Sequence, residues 1–166
     1  MPRPVCWEAS GLIRRRLRSP LSLTCNVTIE LRDAASGRLL RRMRRHNLVT
    51  LVARNAIRDL LNGVSTPATI THFAVGTGAT APAATDAALQ TEVFRDMVTK
   101  RTPDAGKLSL QYYLPSTAAN GYSLTEAGLL TAASGGLLVA RVTYQPIAKT
   151  ASLQVIYNWD LLINAG

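Results

Sequence analysis

The most constraining feature of this sequence is a succession of short segments in which apolar and polar residues alternate, each bounded by turn-forming residues. Between residues 25 and 32, Val27, Ile29 and Leu31 alternate with polar residues, the pattern of a half-buried strand. Turn signals separate the segments, as at Asn120-Gly121. Further strands are predicted at residues 38–45, 70–75, 108–114, 122–130, 137–144 and 153–163. Short strands joined by turns predict a mainly β fold, an antiparallel β-sandwich.

One segment has helical periodicity. Asn47 is a suitable N-cap, residues 48–61 carry a wide apolar face, and Gly63 stands where a glycine often follows a helix. An apolar face this wide predicts that the single α-helix packs on the sheet.

The domain organisation follows from these elements. Residues 1–22 contain Pro2, Pro4, Gly11 and Pro20 and predict an extended N-terminal arm. We expect residues 23–166 to form a single β-rich domain, in which 23–46 is a hairpin, 47–62 the helix and 70–163 the sandwich. A composition that is 47% hydrophobic and 17% charged suits a globular fold, and no apolar run approaches the roughly 20 residues of a membrane span.

Positive charge is concentrated in the first third of the chain. The formal net charge is +9, and residues 1–58 contain 13 arginines against three acidic residues. Residues 59–166 contain six basic and seven acidic residues. This asymmetry indicates an acidic or polyanionic partner. Arginine outnumbers lysine 16 to 3, however, a bias that genome composition alone can produce.

Two kinds of partner fit this charge. Direct nucleic-acid binding is the less favoured, because no aromatic platform is interleaved with the basic residues and no nucleic-acid-binding motif occurs. We instead expect the N-terminal arm to dock on a neighbouring protein subunit. The arm residues expected to bind that partner are Arg14, Arg15, Arg16 and Arg18.

The chain carries no recognisable catalytic or cofactor motif. Gly76-Thr-Gly78 lacks the third glycine of a dinucleotide loop and the lysine of a P-loop, so it is interpreted as a turn that ends a strand. His46 and His72 have no nearby ligand pattern. Cys6 and Cys25 have no metal-binding spacing and are interpreted as free thiols, with a disulfide that ties down the N-terminus as the alternative. We therefore predict no enzymatic activity, no metal and no cofactor.

Four charged residues are predicted to form structural ion pairs. Glu92 and Arg95 are three residues apart and are expected to pair with each other. Glu126 stands in a small, apolar segment, where a carboxylate is expected to satisfy backbone N–H groups or an arginine, either Arg95 or Arg141. A catalytic carboxylate pair formed by Glu92 and Glu126 is the disfavoured alternative.

Several ordered pieces of sequence carry a family resemblance. Residues 69–95 run from an apolar strand through a loop of small residues to Glu92 and Arg95. The other pieces are Asn47 with Ala53-Arg54, then Gly121, Leu124 and Glu126 to Leu129, then Gly136, Leu138 and Ala140, then Tyr144, Pro146 and Lys149, and a final apolar strand at 153–159. In this order they resemble the N-terminal attachment domain of the phage tail-collar fibre protein family. Residues 1–46 lie outside the resemblance.

The resemblance implies a structural protein of a bacteriophage virion. It indicates a tail or baseplate component, or a fibre-attachment adaptor, made in the host cytoplasm and located in the virion. Its partners would be other virion proteins, and it would form a homo-oligomer, a trimer if it follows fibre symmetry. Two alternatives remain open, which are a capsid decoration (cement) protein and a nucleic-acid-binding accessory protein.

Overall fold

A computed structural model of the chain describes residues 21–66 and 68–165. One helix and nine strands are found there, so the prediction of a mainly β protein is confirmed. The helix is α1 (Leu51–Leu61), and the strands are β1 (Leu21–Asp33), β2 (Leu39–Val49), β3 (His72–Gly76), β4 (Glu92–Met97), β5 (Lys100–Asp104), β6 (Lys107–Leu114), β7 (Ser123–Leu130), β8 (Leu138–Ala148) and β9 (Leu153–Ala165).

The nine strands form one antiparallel sheet in the order β4-β3-β7-β8-β2-β1-β9-β6-β5. Its two terminal strands, β4 and β5, are joined by only Val98 and Thr99. Val98 donates its N–H to Thr71, beside β3, and Thr99 donates its N–H to Gln111 on β6. Because this short connection links opposite ends of the sheet, the sheet must curl, and it forms a half-barrel.

The predicted two-layer sandwich is not confirmed. One half of the sheet consists of β4, β3, β7 and β8, and the other consists of β2, β1, β9, β6 and β5. The halves are continuous through β8 and β2, where Leu48 pairs with Arg141 and Val49 pairs with Ala140. The curl nevertheless brings the inner faces of the halves together, which is why the strands alternate between buried and exposed residues.

An aromatic cluster fills the space between the two halves. Phe73 on β3 stacks on Tyr112 of β6, with ring centroids 4.3 Å apart. Its centroid also lies 4.6 Å from Tyr157 and 6.5 Å from Trp159, both on β9. All four side chains are buried. Phe73 therefore connects one half of the sheet to the other through direct ring contacts.

The long hairpin β1–β2 has the alternation expected from the sequence. Val27 and Ile29 point into the core, and their partners across the ladder are Arg45 and Met43. On the opposite face, Glu30 lies across from Arg42. Strand β1 begins at Leu21, so two residues assigned to the predicted arm belong to the sheet, and the rest of the predicted arm lies outside the described residues.

The helix begins later than predicted. Asn47, the predicted N-cap, lies in β2 opposite Cys25, and β2 continues to Val49. The observed N-cap is Thr50, whose hydroxyl accepts the N–H of Ala53 at 3.2 Å. Gly63 follows the C-cap with φ 78°, as its position in the sequence predicted. The start of the helix was predicted too early because the residue pattern at 47–52 fits either a strand or a helix.

The helix buries only its smallest side chains against the sheet. Ala53 and Ala56 are buried, whereas Leu60 and Leu61 are 49% and 81% exposed. No helix among the described residues is long and apolar enough to cross a membrane.

Candidate functional site: a buried ion cluster and the exposed edge of β2

Glu126 lies in the centre of β7 and is fully buried. Each carboxylate oxygen accepts two hydrogen bonds. Oε1 accepts the backbone N–H groups of Gly78 at 3.0 Å and Thr91 at 2.7 Å, and Oε2 accepts the N–H of Gln90 at 3.1 Å and Nε of Arg141 at 2.8 Å. Glu126 thereby holds both ends of the long loop between β3 and β4.

Arg141 continues this cluster from the neighbouring strand β8, and its side chain is 3% exposed. Its Nη1 donates to Asp86 at 2.8 Å, and its Nη2 donates to the carbonyl of Thr80 at 3.2 Å. Glu126, Arg141 and Asp86 therefore hold the loop 77–91 at its ends and its middle, and we call these three residues the loop clamp.

Gly76, which ends β3, and Gly78, in the loop, are both needed for the close approach of Glu126. A Cβ added at Gly76 would lie 2.6 Å from Oε1 of Glu126 and 2.4 Å from the carbonyl oxygen of Thr91. A Cβ added at Gly78 would lie 2.5 Å from the same Oε1 and 2.5 Å from Cβ of Gln90. The Gly-Thr-Gly segment is thus a place where the backbone approaches a buried carboxylate, as well as the end of a strand.

The electrostatics of the clamp favour its charged form. Burial alone would raise the pKa of Glu126, but the N–H groups of Thr91 and Gln90 and the Arg141 guanidinium together hold this pKa below its usual range. The pKa of Asp86 is also lowered, since the N–H of Ala83 and Arg141 outweigh its burial. A carboxylate that is buried and accepts two bonds on each oxygen is arranged to hold the loop.

The other predicted pair forms a separate contact at the end of the sheet. Arg95 and Glu92 form a bidentate ion pair on β4, at 2.8 and 2.7 Å. Nη1 of Arg95 donates to the carbonyls of Ala132 and Gly135, both at 2.9 Å. Of the two arginines considered as partners of Glu126, the structure therefore brings Arg141 to it and places Arg95 elsewhere.

Lys149, which follows β8, is a buried charge outside the loop clamp and is 1% exposed. Its Nζ donates to Asn120 Oδ1 at 2.9 Å, to the carbonyl of Thr150 at 3.1 Å and to the carbonyl of Ser116 at 3.4 Å. Burial lowers the pKa of its ammonium group. Lys149 thus holds the loop between β6 and β7 in the way that Glu126 holds the loop between β3 and β4.

Two residues of these clusters were not assigned a role from the sequence. Asp86 is the one charged residue between His72 and Glu92, and a lone charge in a segment of small residues is a usable signal for a buried partner. Lys149 could be placed only as part of the family resemblance, because nothing near it in the sequence indicates that it is buried.

The cysteine and histidine side chains that the structure describes show no grouped arrangement. Burial raises the pKa of the Cys25 thiol to about 12, which makes it an unreactive core side chain. His46 lies in β2, while His72 begins β3 and contacts the hydroxyl of Thr71 at 2.8 Å. Among residues 21–66 and 68–165, no group of three or more metal-ligating side chains occurs.

Two surface features remain. The edge of β2 carries Arg41, Arg42, Arg44 and Arg45 within five consecutive positions, with only Arg45 half-buried. An apolar groove of about 380 Å³ lies between α1 and the sheet, and it is lined by Leu23, Ala56, Ile57, Leu60, Leu108 and Leu161 among others. The predicted arm arginines Arg14, Arg15, Arg16 and Arg18 lie outside the described residues.

No protein-family model, no curated protein and no solved structure matches this chain.

Proposed function

We propose that this protein is a structural component of a bacteriophage virion, a tail or baseplate protein or a fibre-attachment adaptor. It acts through contacts with other virion proteins rather than through a reaction. The proposal joins the ordered sequence resemblance to the arrangement of the loop clamp.

The observation that carries the proposal is the convergence of the motif residues. Gly76 and Gly78 belong to one piece of the resemblance and Glu126 to another, and they meet in one contact set with Thr91 and Arg141. A side chain at either glycine would overlap the carboxylate of Glu126, and Glu126 is needed to accept the N–H groups of the loop. Such mutual dependence is expected when a motif encodes a shared fold, and it supports treating the resemblance as structural.

The body of the protein is a rigid support in this proposal. The curled sheet, with its two halves packed like the layers of a sandwich, presents the β2 edge to a partner. Residues 1–20, which contain Arg14, Arg15, Arg16 and Arg18, act as an extended basic arm that lies along an acidic surface of a neighbouring subunit. The subunits form a closed homo-oligomer, with a trimer matching fibre symmetry.

Localisation and copy number in purified phage particles test the proposal. Immunogold electron microscopy with antibodies against this protein is expected to label the tail or baseplate, and quantitative mass spectrometry is expected to find it in tens of copies per particle. Label distributed over the shell, with a copy number matching the capsid sites, would identify a decoration protein instead. Absence of the protein from purified particles would refute a structural role in the virion.

A further inference from the structure

Strand β2 has one side that is paired along its length and one side that is almost free. It pairs with β1 from Leu39 to Asn47, but it pairs with β8 only at Leu48 and Val49. Within residues 21–66 and 68–165, no strand pairs with the second side of β2 before Leu48. A free strand side of this length is a template on which another strand can add.

The backbone groups on this free side can be assigned. In an antiparallel ladder the N–H and C=O groups of successive residues point to alternate sides of the strand. The N–H of Thr50, directly after β2, donates to the carbonyl of Val139 on β8, so the even-numbered residues at this end of β2 direct their backbone groups away from β1. On that side the carbonyl of Arg44 accepts Nη1 of Arg45 at 2.9 Å. By alternation, Arg42, Arg44 and His46 direct their N–H and C=O groups outwards.

Positive charge lies on both faces of this edge. Arg41 and Arg45 are on the same face as the buried Met43, where the sheet opens, while Arg42 and Arg44 are on the opposite face. Only Arg42 has a carboxylate partner among the described residues, Glu30 at 2.8 Å, and Glu30 also pairs with Arg32. Arg41, Arg44 and Arg45 therefore have no described carboxylate within salt-bridge distance.

The edge has open space on either side. Between β2 and β8 lies a recess of about 450 Å³, lined by Arg45, Thr125, Tyr144 and Pro146 among others. On the other face, a recess of about 410 Å³ is bordered by Arg44, His46 and Asp160. An extended segment can therefore approach the edge without displacing a described part of the sheet.

We propose that the edge of β2 from Arg41 to Asn47 binds an extended acidic segment of a partner protein, which adds to the sheet as a further strand. Main-chain hydrogen bonds to Arg42, Arg44 and His46 hold the segment, and its carboxylates meet the arginines on both faces. The inference rests on the proposed function, because it names the chemistry of the partner that holds a virion component in place.

Charge decides between this partner and a second copy of the chain. Pairing of two β2 edges would place arginines opposite arginines, which is destabilising. The predicted arm is also basic, so it too would be repelled. The same four arginines that repel a basic strand attract an acidic one, so they select an acidic segment as the partner of this edge.

A binding experiment on the full chain tests the proposal with defined probes. The first probe is a fluorescent peptide of about ten residues. Pairs of consecutive Glu alternate with pairs of consecutive Val in this peptide, so that carboxylates lie on both faces of the strand. The second has Gln in place of Glu, and the third has Pro in place of each Val, which removes backbone donors. By fluorescence anisotropy, the second and third peptides are expected to bind at least about tenfold more weakly than the first.

Matched variants and amide exchange locate the site. Arg44→Glu is expected to weaken binding of the acidic peptide at least about tenfold, whereas Lys100→Glu, the same charge change on the exposed edge strand β5, leaves it unchanged. In hydrogen-exchange measurements the N–H groups of Arg42, Arg44 and His46 are expected to slow on binding, and those of β5 are not.

Three results would overturn strand addition. These are equal affinity for the Glu and Gln peptides, equal affinity for the Val and Pro peptides, and unchanged exchange of the three amides. Tight binding of a single-stranded oligonucleotide with a steep salt dependence, and none of the acidic peptide, would identify nucleic acid as the partner. Failure of peptide binding together with gold label on the tail would refute strand addition alone, while peptide binding by a protein absent from particles would refute the virion role alone.

Discussion

Glu126 shows how a single residue controls a long loop. Its carboxylate accepts three loop N–H groups and pairs with Arg141, and both side chains are almost completely removed from solvent. A buried charge of this kind is stable only while its partners are in place. Removal of this buried charge is therefore expected to destabilise the protein more than removal of an exposed charge.

Replacement of Glu126 by glutamine is expected to destabilise the protein by about 3–5 kcal/mol, because Arg141 loses its buried partner and an amide NH2 faces backbone donors. Urea unfolding followed by circular dichroism measures the loss. The control is Glu92→Gln, where Arg95 keeps two carbonyl acceptors, and the expected cost is about 1 kcal/mol or less. Unchanged stability of the Glu126 variant, together with loss of an activity, would contradict the structural role.

The clamp also predicts how stability depends on pH. The pKa values of Glu126 and Asp86 are lowered in the folded state, so their contribution is complete above the ordinary carboxylate pKa of about 4 and is lost as pH falls through the lower folded values. Between about pH 6 and pH 3, the free energy of unfolding of Glu126→Gln is expected to fall less than that of the natural sequence. Parallel pH profiles from urea titrations would show that Glu126 is not the titrating group.

Among the elements, α1 depends on a cap that also joins it to the sheet. Thr50 is buried, its hydroxyl accepts the N–H of Ala53, and the same hydroxyl donates to the carbonyl of Leu138 at 2.5 Å. A single oxygen therefore starts the helix and fixes it to β8.

Thr50→Ala is expected to cost about 2 kcal/mol, since it removes the cap and leaves the Leu138 carbonyl without its donor. Asn47→Ala is the matched control, because the two amide atoms of Asn47 have no hydrogen-bond partner among the described residues. Its expected effect is within about 1 kcal/mol. Thermal unfolding of both variants measures the difference, and a larger loss for Asn47→Ala would restore Asn47 as the cap.

The element boundaries show which signals in the sequence are reliable. The strand predicted at 108–114 is observed as Lys107–Leu114, because alternate residues face the core. Strands β4 and β5 were missed: β4 contains three charged residues, and every residue of β5 is exposed. Terminal strands of a sheet bury little, so their sequences carry no apolar alternation.

For the whole molecule, Phe73 makes the aromatic ring contacts that connect one half of the sheet to two strands of the other half. Its ring touches β6 and β9, which belong to the other half. Stability of the curl should therefore depend more on this ring than on the size of any exposed aromatic residue.

Phe73→Ala is expected to cost about 3–5 kcal/mol, because it opens a cavity and removes the aromatic contacts with Tyr112, Tyr157 and Trp159. Tyr122→Ala, at a side chain 47% exposed, is the control and should change stability by less than about 1 kcal/mol. Guanidinium unfolding monitored by tryptophan fluorescence measures both. Equal losses would show that the halves are not held by the core aromatic cluster.

The partner of Glu126 shows where sequence reasoning ends. The small, apolar neighbours of Glu126 are enough to predict a structural carboxylate, but both Arg95 and Arg141 satisfied that prediction. The register of β7 against β8, in which Glu126 pairs with Thr143 and Gly128 with Arg141, places the Arg141 side chain diagonally beside it. Register is a property of two paired strands, so neither strand alone contains it.

By itself, the sequence determined the mainly β character, the two faces of the long hairpin and the concentration of positive charge near the start. These depend on the order of apolar, polar and charged side chains along one segment, which local physics can evaluate. Only the tertiary structure decided that the strands form one curled sheet, that the β3–β4 loop is held by Glu126, and that four arginines lie on a free edge. Each of these depends on which distant segments become neighbours, and that is set by packing of the whole chain.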